Sequence, residues 1–175
     1  MSAADAVRIR SLTRDDEGTL WVALYHAVHV LPGAPPPAPD VVRQPALARY
    51  VAGWGRAGDA GVAAEIGGDV VGAAWLRRAA PDAAGYGFID TETPELSIAV
   101  WPGHRGRGVG TELLRRLFQD CAAPSISLSV SQRNPARRLY KRLGFHAVGP
   151  PSGGSVTMVR RGSPRPPPPQ PGGRA

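Results

Sequence analysis

A single cysteine, Cys121, stands in 175 residues. One thiol closes no internal disulfide and builds no cysteine-based zinc site, so both kinds of cross-linked scaffold are excluded. No window approaches roughly 18 consecutive apolar residues, the least that crosses a bilayer as a helix. Met1 to Ala6 carries Asp5 and leads into no apolar run, so no secretory signal is expected and the chain is read as soluble and cytoplasmic. Lysine is nearly missing: Lys141 stands alone, and arginine supplies the rest of the 21 basic residues. With so much Ala and Gly, that bias reflects a GC-rich genome more than a function. Of the net charge of +7, four charges (Arg160, Arg161, Arg165 and Arg174) lie in the last sixteen residues, leaving +3 for the rest. Nucleic acid is therefore the weaker reading of the basic balance. No internal repeat is present.

What the sequence does contain supports a core, with 42% hydrophobic and 20% charged residues. Its 22 glycines and 19 prolines are bunched rather than periodic, which points to long loops and a tail. One domain is expected over 1–161. Residues 162–175, with six prolines and nothing to bury, are expected to be a disordered basic tail.

Hydrophobic periodicity supplies the elements. Val7 to Leu12 alternates as a strand, and Asp15 and Asp16 stand where helix caps and first-turn acids belong. Leu20, Leu24, Ala27, Val28 and Leu31 follow at helical spacing. Five prolines between Leu31 and Asp40 exclude helix and central strand there. Leu47, Tyr50, Val51 and Trp54 predict a second amphipathic helix, stopped at Gly55. Val62–Ile66 and Val70–Leu76 read as a hairpin around Gly67-Gly68-Asp69. After a loop over 79–94, Glu95–Val100 alternates as a strand. From Gly108 a helix turns Val109, Leu113, Leu114, Leu117, Phe118 and Cys121 inward. Ser125–Val130 is a strand with serines on one face. Asn134-Pro135 opens a helix that ends at Gly144, and Phe145–Val148 and Ser155–Val159 close the chain as strands. The sum is a mixed α/β layer structure with partly parallel central strands.

The join between strand and helix carries the chemistry. Arg105-Gly106-Arg107-Gly108-Val109-Gly110 lets backbone come close to a ligand, and the following helix N-terminus favours a pyrophosphate. Arg105 and Arg107 would add ionic contacts. The pattern is neither the G-x-G-x-x-G fingerprint nor a P-loop. A glycine-rich turn that merely needs tight packing is the alternative.

R-x-x-G-x-G between an Ala-Val-x-Pro strand and a Leu-rich helix resembles motif A of the GCN5-related N-acetyltransferases (GNAT). Asn134-Pro-Ala-Arg-Arg-Leu-Tyr-Lys-Arg-Leu-Gly-Phe145 resembles their motif B, and together the two span residues 95–148. The resemblance implies the GNAT-like acyl-CoA N-acyltransferase fold, with splayed central parallel strands flanked by helices. It implies acetyl-CoA as co-substrate, no metal, and direct transfer of the acetyl group to an amine without an acyl-enzyme. Backbone groups of Ile98, Ala99 and Val100 would pair with the pantetheine arm. The N–H groups from Arg105 through Gly106, Arg107, Gly108, Val109 and Gly110 to Thr111 would hold the pyrophosphate. The N–H of Val100 would polarise the thioester carbonyl, and Ser97 and Ala99 would leave room beside it.

Tyr140 would protonate the departing thiolate, or else pack as a half-buried aromatic. Asn134 would contact pantetheine or acceptor, cap its helix, or do both. Glu95 is the candidate general base, with a solvated strand-end carboxylate as the alternative. His26, His29 and His104 are the other candidate bases. Cys121 reads as core.

The 26 residues between Arg78 and Arg105 hold four acids (Asp82, Asp90, Glu92 and Glu95) and no base. If this stretch lines the acceptor mouth it favours a small cationic amine, with Trp21, Tyr25, Trp54, Trp75, Tyr86 and Phe88 as available aromatic walls, the core being the readier place for the three tryptophans. A catalytically silent acyl-CoA sensor, or an enzyme acting on protein or RNA through the basic tail, are the other readings. Dimers are common in the family, though no patch in the sequence marks one.

Overall fold

The computed structural model describes residues 6–28, 30, 33–121 and 123–162. Strand β1 (Arg8–Ser11) leads into helix α1 (Glu17–Ala27) and the short α2 (Pro45–Ala48). The hairpin of β2 (Ala60–Ile66) and β3 (Asp69–Arg77) precedes β4 (Glu95–Val100), α3 (Val109–Asp120) and β5 (Ser125–Ser131). Helix α4 (Arg137–Arg142) and the hairpin of β6 (His146–Ser152) and β7 (Ser155–Arg161) follow. The seven strands form one sheet in the order β1-β2-β3-β4-β5-β7-β6. Every neighbouring pair is antiparallel except β4 and β5, which run parallel at its centre.

Strand alternation sorts the core onto two faces. Leu76, Leu96, Ile126 and Leu128 meet Leu113, Leu114 and Leu117 of α3 and Tyr140 of α4 on one. Ala73, Trp75 and Ala99 meet Leu20, Ala23 and Leu24 of α1 on the other. Ala99 is therefore small because α1 packs against β4 there. Asp16 fastens the start of α1: its Oδ2 accepts the Thr13 N–H at 2.7 Å, and Arg10 grips both carboxylate oxygens at 2.7 and 2.9 Å. That pairing holds the Asp16 carboxyl below its ordinary range.

One expected element is much shorter than predicted. The helix expected through Leu47 to Trp54 is only α2, and 49–53 turns instead. Arg77 is the cause. Its Nη1 donates to the carbonyls of Arg49 and Ala52, and its Nη2 to that of Gly53, at 2.8–3.2 Å. Those carbonyls would otherwise serve a continuing helix. Arg77 is held in place by Asp59 at 2.8 Å, both side chains being 4% exposed. Val51 and Trp54 still face inward and are buried, and Trp75 is buried with them. His29, Leu31 and the tail from 163 onward lie outside the described residues.

Candidate active site

The two central strands part almost at once. Pairing between β4 and β5 is confined to Glu95 opposite Ser127, where the Ser127 N–H donates to the Pro94 carbonyl at 3.0 Å. The outer pairings continue in full, six residue pairs from β3 to β4 and seven from β5 to β7. The alternation of backbone direction then decides what the gap contains. Trp101 N–H donates to Val71 O across the β3 side at 2.9 Å. Odd residues of β4 therefore face β3, and the N–H and C=O groups of Ile98 and Val100 face the gap. Arg105 Nε bonds the Val100 C=O, and the remaining groups of this edge can accept an extended chain with amide groups, as a sheet accepts an added strand.

Two cavities adjoin the wedge. One, of about 1210 Å³, is lined by Ile98, Ala99, Val100, Gly106, Gly108 and Thr111. The other, of about 900 Å³, is lined by Tyr50, Tyr86, Glu95, Ser97 and Ser129. Ala27, Val28, Ile98, Arg133, Asn134 and Tyr140 border both. A group passing from one cavity to the other passes among these residues.

At the first cavity the glycines answer the question left by the sequence. Gly106 and Gly108 have φ of +72° and +85°, and nothing lies within 4 Å of where a Cβ would stand on either. Tight packing is not their reason. Left-handed backbone is, and the space above them is open to a ligand. Gly108 caps α3. Arg105 N–H donates to Pro102 O and Thr111 N–H to Gly108 O, so both are used inside the protein. The N–H groups from Gly106 to Gly110 have no backbone partner among the described residues. They form an anion cradle at a helix N-terminus. The groups present fit a pyrophosphate and its amide arm.

Arg105 does something its position did not suggest. Its Nε donates to Val100 O at 2.8 Å and its Nη2 to His26 O at 3.2 Å, so it ties the end of α1 to the end of β4. Arg107 is exposed.

Tyr140 is 7% exposed and its ring meets that of Phe145 edge-on at 5.9 Å. The helix end fixes that contact. Gly144, at φ +90°, donates to Lys141 O, and Phe145 N–H donates back to Tyr140 O at 3.0 Å. This is a Schellman closure, with the two aromatics as its apolar pair. Burial pushes the Tyr140 phenol up to about 12, so it is protonated at neutral pH. Asn134 is not the helix cap the sequence suggests, since α4 begins at Arg137 with Ala136 as its N-cap. The Asn134 Oδ1 accepts the Ala136 N–H at 2.9 Å in the turn that leads into the helix, and its amide NH₂ is left unused by that bond.

Glu95 is not a solvated strand end. It is 7% exposed, and its Oε1 accepts the Tyr50 hydroxyl at 2.9 Å and the Gly87 N–H at 2.7 Å. The Tyr50 oxygen accepts the Tyr86 N–H at 2.7 Å. Gly85-Tyr86-Gly87 thus wraps the carboxyl. A Cβ on Gly85 would overlap Oε2, and one on Gly87 would stand 2.8 Å from Oε1 and 2.7 Å from the β5 backbone at Leu128 and Ser129. Burial raises the Glu95 carboxyl above its usual range, against the opposing pull of Tyr50, Gly87 and Arg49. Tyr50 and the two glycines escaped the sequence reading, which placed Tyr50 in an apolar stripe. Its hydroxyl was the available signal, since a buried Tyr needs a polar partner.

The other candidates fall elsewhere. His26 and His104 line the first cavity, on the side of the glycine loop rather than of Glu95. Burial, then Arg105, lowers the pKa of His26, whose ring meets Trp101 at 4.8 Å. Cys121 is half-buried against the core. Of the loop acids only Glu95 lines the second cavity. Asp90 accepts the N–H groups of Glu92 and Thr93, and Glu92 stands 3.9 Å from Arg78. Among the aromatics, Tyr86 lines the second cavity and Tyr25 the first. Among the described residues no helix is long and apolar enough to cross a membrane.

Comparison with known proteins agrees with this architecture. The chain is 39% identical over 72 residues to an uncharacterized protein of Mycobacterium leprae (strain TN), a match covering 37% of this chain and 20% of that protein. The chain thus spans about a fifth of the curated relative it matches. Among solved structures, YncA from Salmonella typhimurium with its cofactor acetyl-CoA is 22% identical, covering 93% of this chain and 99% of that one, at TM-score 0.61. The PaiA N-acetyltransferase from Thermoplasma acidophilum, in complex with coenzyme A, is 15% identical over 89% and 99%, also at TM-score 0.61. These two are likenesses of fold. The profile of the acetyltransferase (GNAT) family matches residues 21–145, most of the chain. The chain belongs to the acetyltransferase (GNAT) family.

Proposed function

We propose that this protein is an N-acetyltransferase that moves the acetyl group of acetyl-CoA to the primary amine of a small acceptor, within one domain over 1–161. The observation that carries this reading is the wedge that opens beyond Glu95 and Ser127. It has an anion cradle on one side and a buried carboxyl on the other. The free edge at Ile98 and Val100 would hold the pantetheine amides, and Gly106 to Gly110 the pyrophosphate.

Acetyl-CoA supplies an activated thioester, and the protein's groups do the rest. An acceptor ammonium has an ordinary pKa near 10.4, so it must lose a proton before attack. Glu95 takes that proton, directly or through a water, and its raised pKa makes it a stronger base than a surface carboxylate. The Val100 N–H donates to the thioester oxygen as negative charge grows there. As the carbon–nitrogen bond forms and the carbon–sulfur bond breaks, Tyr140 gives its proton to the sulfur. Solvent protons then restore Tyr140, and Glu95 releases its own.

Calorimetric titration with acetyl-CoA and CoA, followed by a thiol-release assay on a panel of amines, tests the reading. Micromolar binding with thiol release is the expected result. Binding without turnover on any amine would leave an acyl-CoA sensor or a macromolecular acceptor. Absence of binding would overturn the proposal.

A further inference from the structure

Resting on that reading, we propose that the acceptor is an α-amino acid with an apolar side chain, its amine served by Glu95 and its carboxylate held by Arg133. Charge is the first argument. Among the described residues that line the 900 Å³ cavity, Glu95 and Arg133 alone are charged. A polycation would need several carboxylates, and the other loop acids are not in the lining. A molecule with one positive and one negative group matches both poles.

Arg133 is available for this work. It sits on the connection between β5 and α4, exposed, and its guanidinium joins no ion pair or hydrogen bond among the described residues. Six arginines elsewhere are in ion pairs with acids: Arg8, Arg10, Arg77, Arg78, Arg115 and Arg116. A guanidinium fork grips a carboxylate through two parallel N–H donors, with geometric selectivity that an ammonium lacks. The hydroxyls of Ser129, Ser131 and Ser155 line the same cavity and can donate to the same anion. Arg133 also borders the cofactor cavity, where an uncharged pantetheine arm would leave its guanidinium free.

The remaining wall sets the side chain. Leu24 of α1, Leu47 of α2, and Leu128 and Val130 of β5 present apolar surface to the cavity, with Tyr86 at its rim, 65% exposed. An apolar side chain buried there would contribute roughly 25 cal/mol for each Å² removed from water.

Matched pairs test the assignment: leucine against 3-methylbutylamine, phenylalanine against phenethylamine, tryptophan against tryptamine. Each amine is its amino acid without the carboxylate. Thiol release should favour the amino acid by roughly 10- to 100-fold in kcat/KM, the range expected of hydrogen bonds to a charged group. In Arg133→Gln that preference should collapse toward unity through a raised KM for the amino acid, and Arg133→Lys should recover part of it. Equal or better turnover of the decarboxylated amines, or of spermidine, would overturn the assignment. So would a rise confined to the KM for acetyl-CoA, which would place Arg133 on the cofactor. Calorimetry on the same preparation separates the two levels. If acetyl-CoA binds, a failed preference removes only the amino-acid acceptor; if it does not bind, the acetyltransferase reading falls and takes the acceptor with it.

Discussion

Tyr50 and Glu95, 45 positions apart in the chain, are joined by a 2.9 Å hydrogen bond from the phenol to Oε1. This bond stabilises the charged carboxylate, while burial favours the neutral acid and prevails. Tyr50→Phe removes a bond to the charged form, so the Glu95 pKa rises further. Activity that needs ionised Glu95 grows as pH rises through that pKa. The acid limb of the kcat/KM profile should therefore move to higher pH in Tyr50→Phe, with little loss on the plateau. Glu95→Gln should erase the limb and lower the plateau by roughly 10²- to 10⁴-fold. An unmoved limb in Tyr50→Phe would place the titrating base elsewhere.

Tyr140→Phe separates packing from proton transfer. Phenylalanine keeps the edge-on contact with Phe145 and the helix closure at Gly144, so thermal stability should hold. The lost hydroxyl should lower kcat by about 10²-fold or more, with CoA affinity measured by calorimetry within about twofold of the parent. With the phenol pushed up to about 12, Tyr140 should place no alkaline limb in the profile near neutral pH. A fall in affinity that matched the fall in kcat would mean the residue shapes the pocket rather than donates a proton.

Gly108→Ala probes the cradle. A Cβ there meets nothing within 4 Å, so the penalty is the left-handed backbone at φ +85°, about 1–2 kcal/mol for an L-residue. The melting temperature should fall by a few degrees. Acetyl-CoA should bind at least tenfold more weakly, because the methyl group points into the space where the phosphates would lie. Gly149→Ala, at φ +68° in the last hairpin and away from both cavities, is the control. It should carry a similar stability loss and leave affinity unchanged. Equal losses of affinity in the two variants would tie the effect to folding alone.

Much of this arrangement is written locally, and for that reason the sequence reveals it. The apolar stripe of α3 and the six alternating residues of β4 depend on neighbours a few positions away, and both stand where periodicity puts them. The Glu95 clasp depends on partners 8 and 45 positions distant, and no local pattern announces it. The wedge is likewise a property of two strands that fail to pair, and it entered only through the resemblance of the two motifs. The glycine loop stands between these cases. Its residue types suggested either close packing or ligand approach, and only the empty space above Gly106 and Gly108 decides for the second.

Arg77 links the clasp to the stability of the whole domain. It is buried, paired with Asp59, and bonded to three carbonyls of 49–53, the segment that also presents Tyr50. Removing one partner of a buried pair typically costs about 3–5 kcal/mol, since the remaining charge is left without compensation. Arg77→Ala should show that loss in denaturant unfolding. Arg77→Met with Asp59→Leu removes both charges and should recover much of the stability. It restores none of the bonds to Arg49, Ala52 and Gly53, so Tyr50 loses its anchor even in a folded protein. Asp59 Oδ2 also accepts the Gly55 and Arg56 N–H groups, so the double variant should melt between Arg77→Ala and the parent and still show the acid limb displaced to higher pH, as Tyr50→Phe does. A folded double variant with a parental pH profile would show that Tyr50 is positioned without Arg77, by the bond from Trp75 Nε1 to its own carbonyl at 2.9 Å.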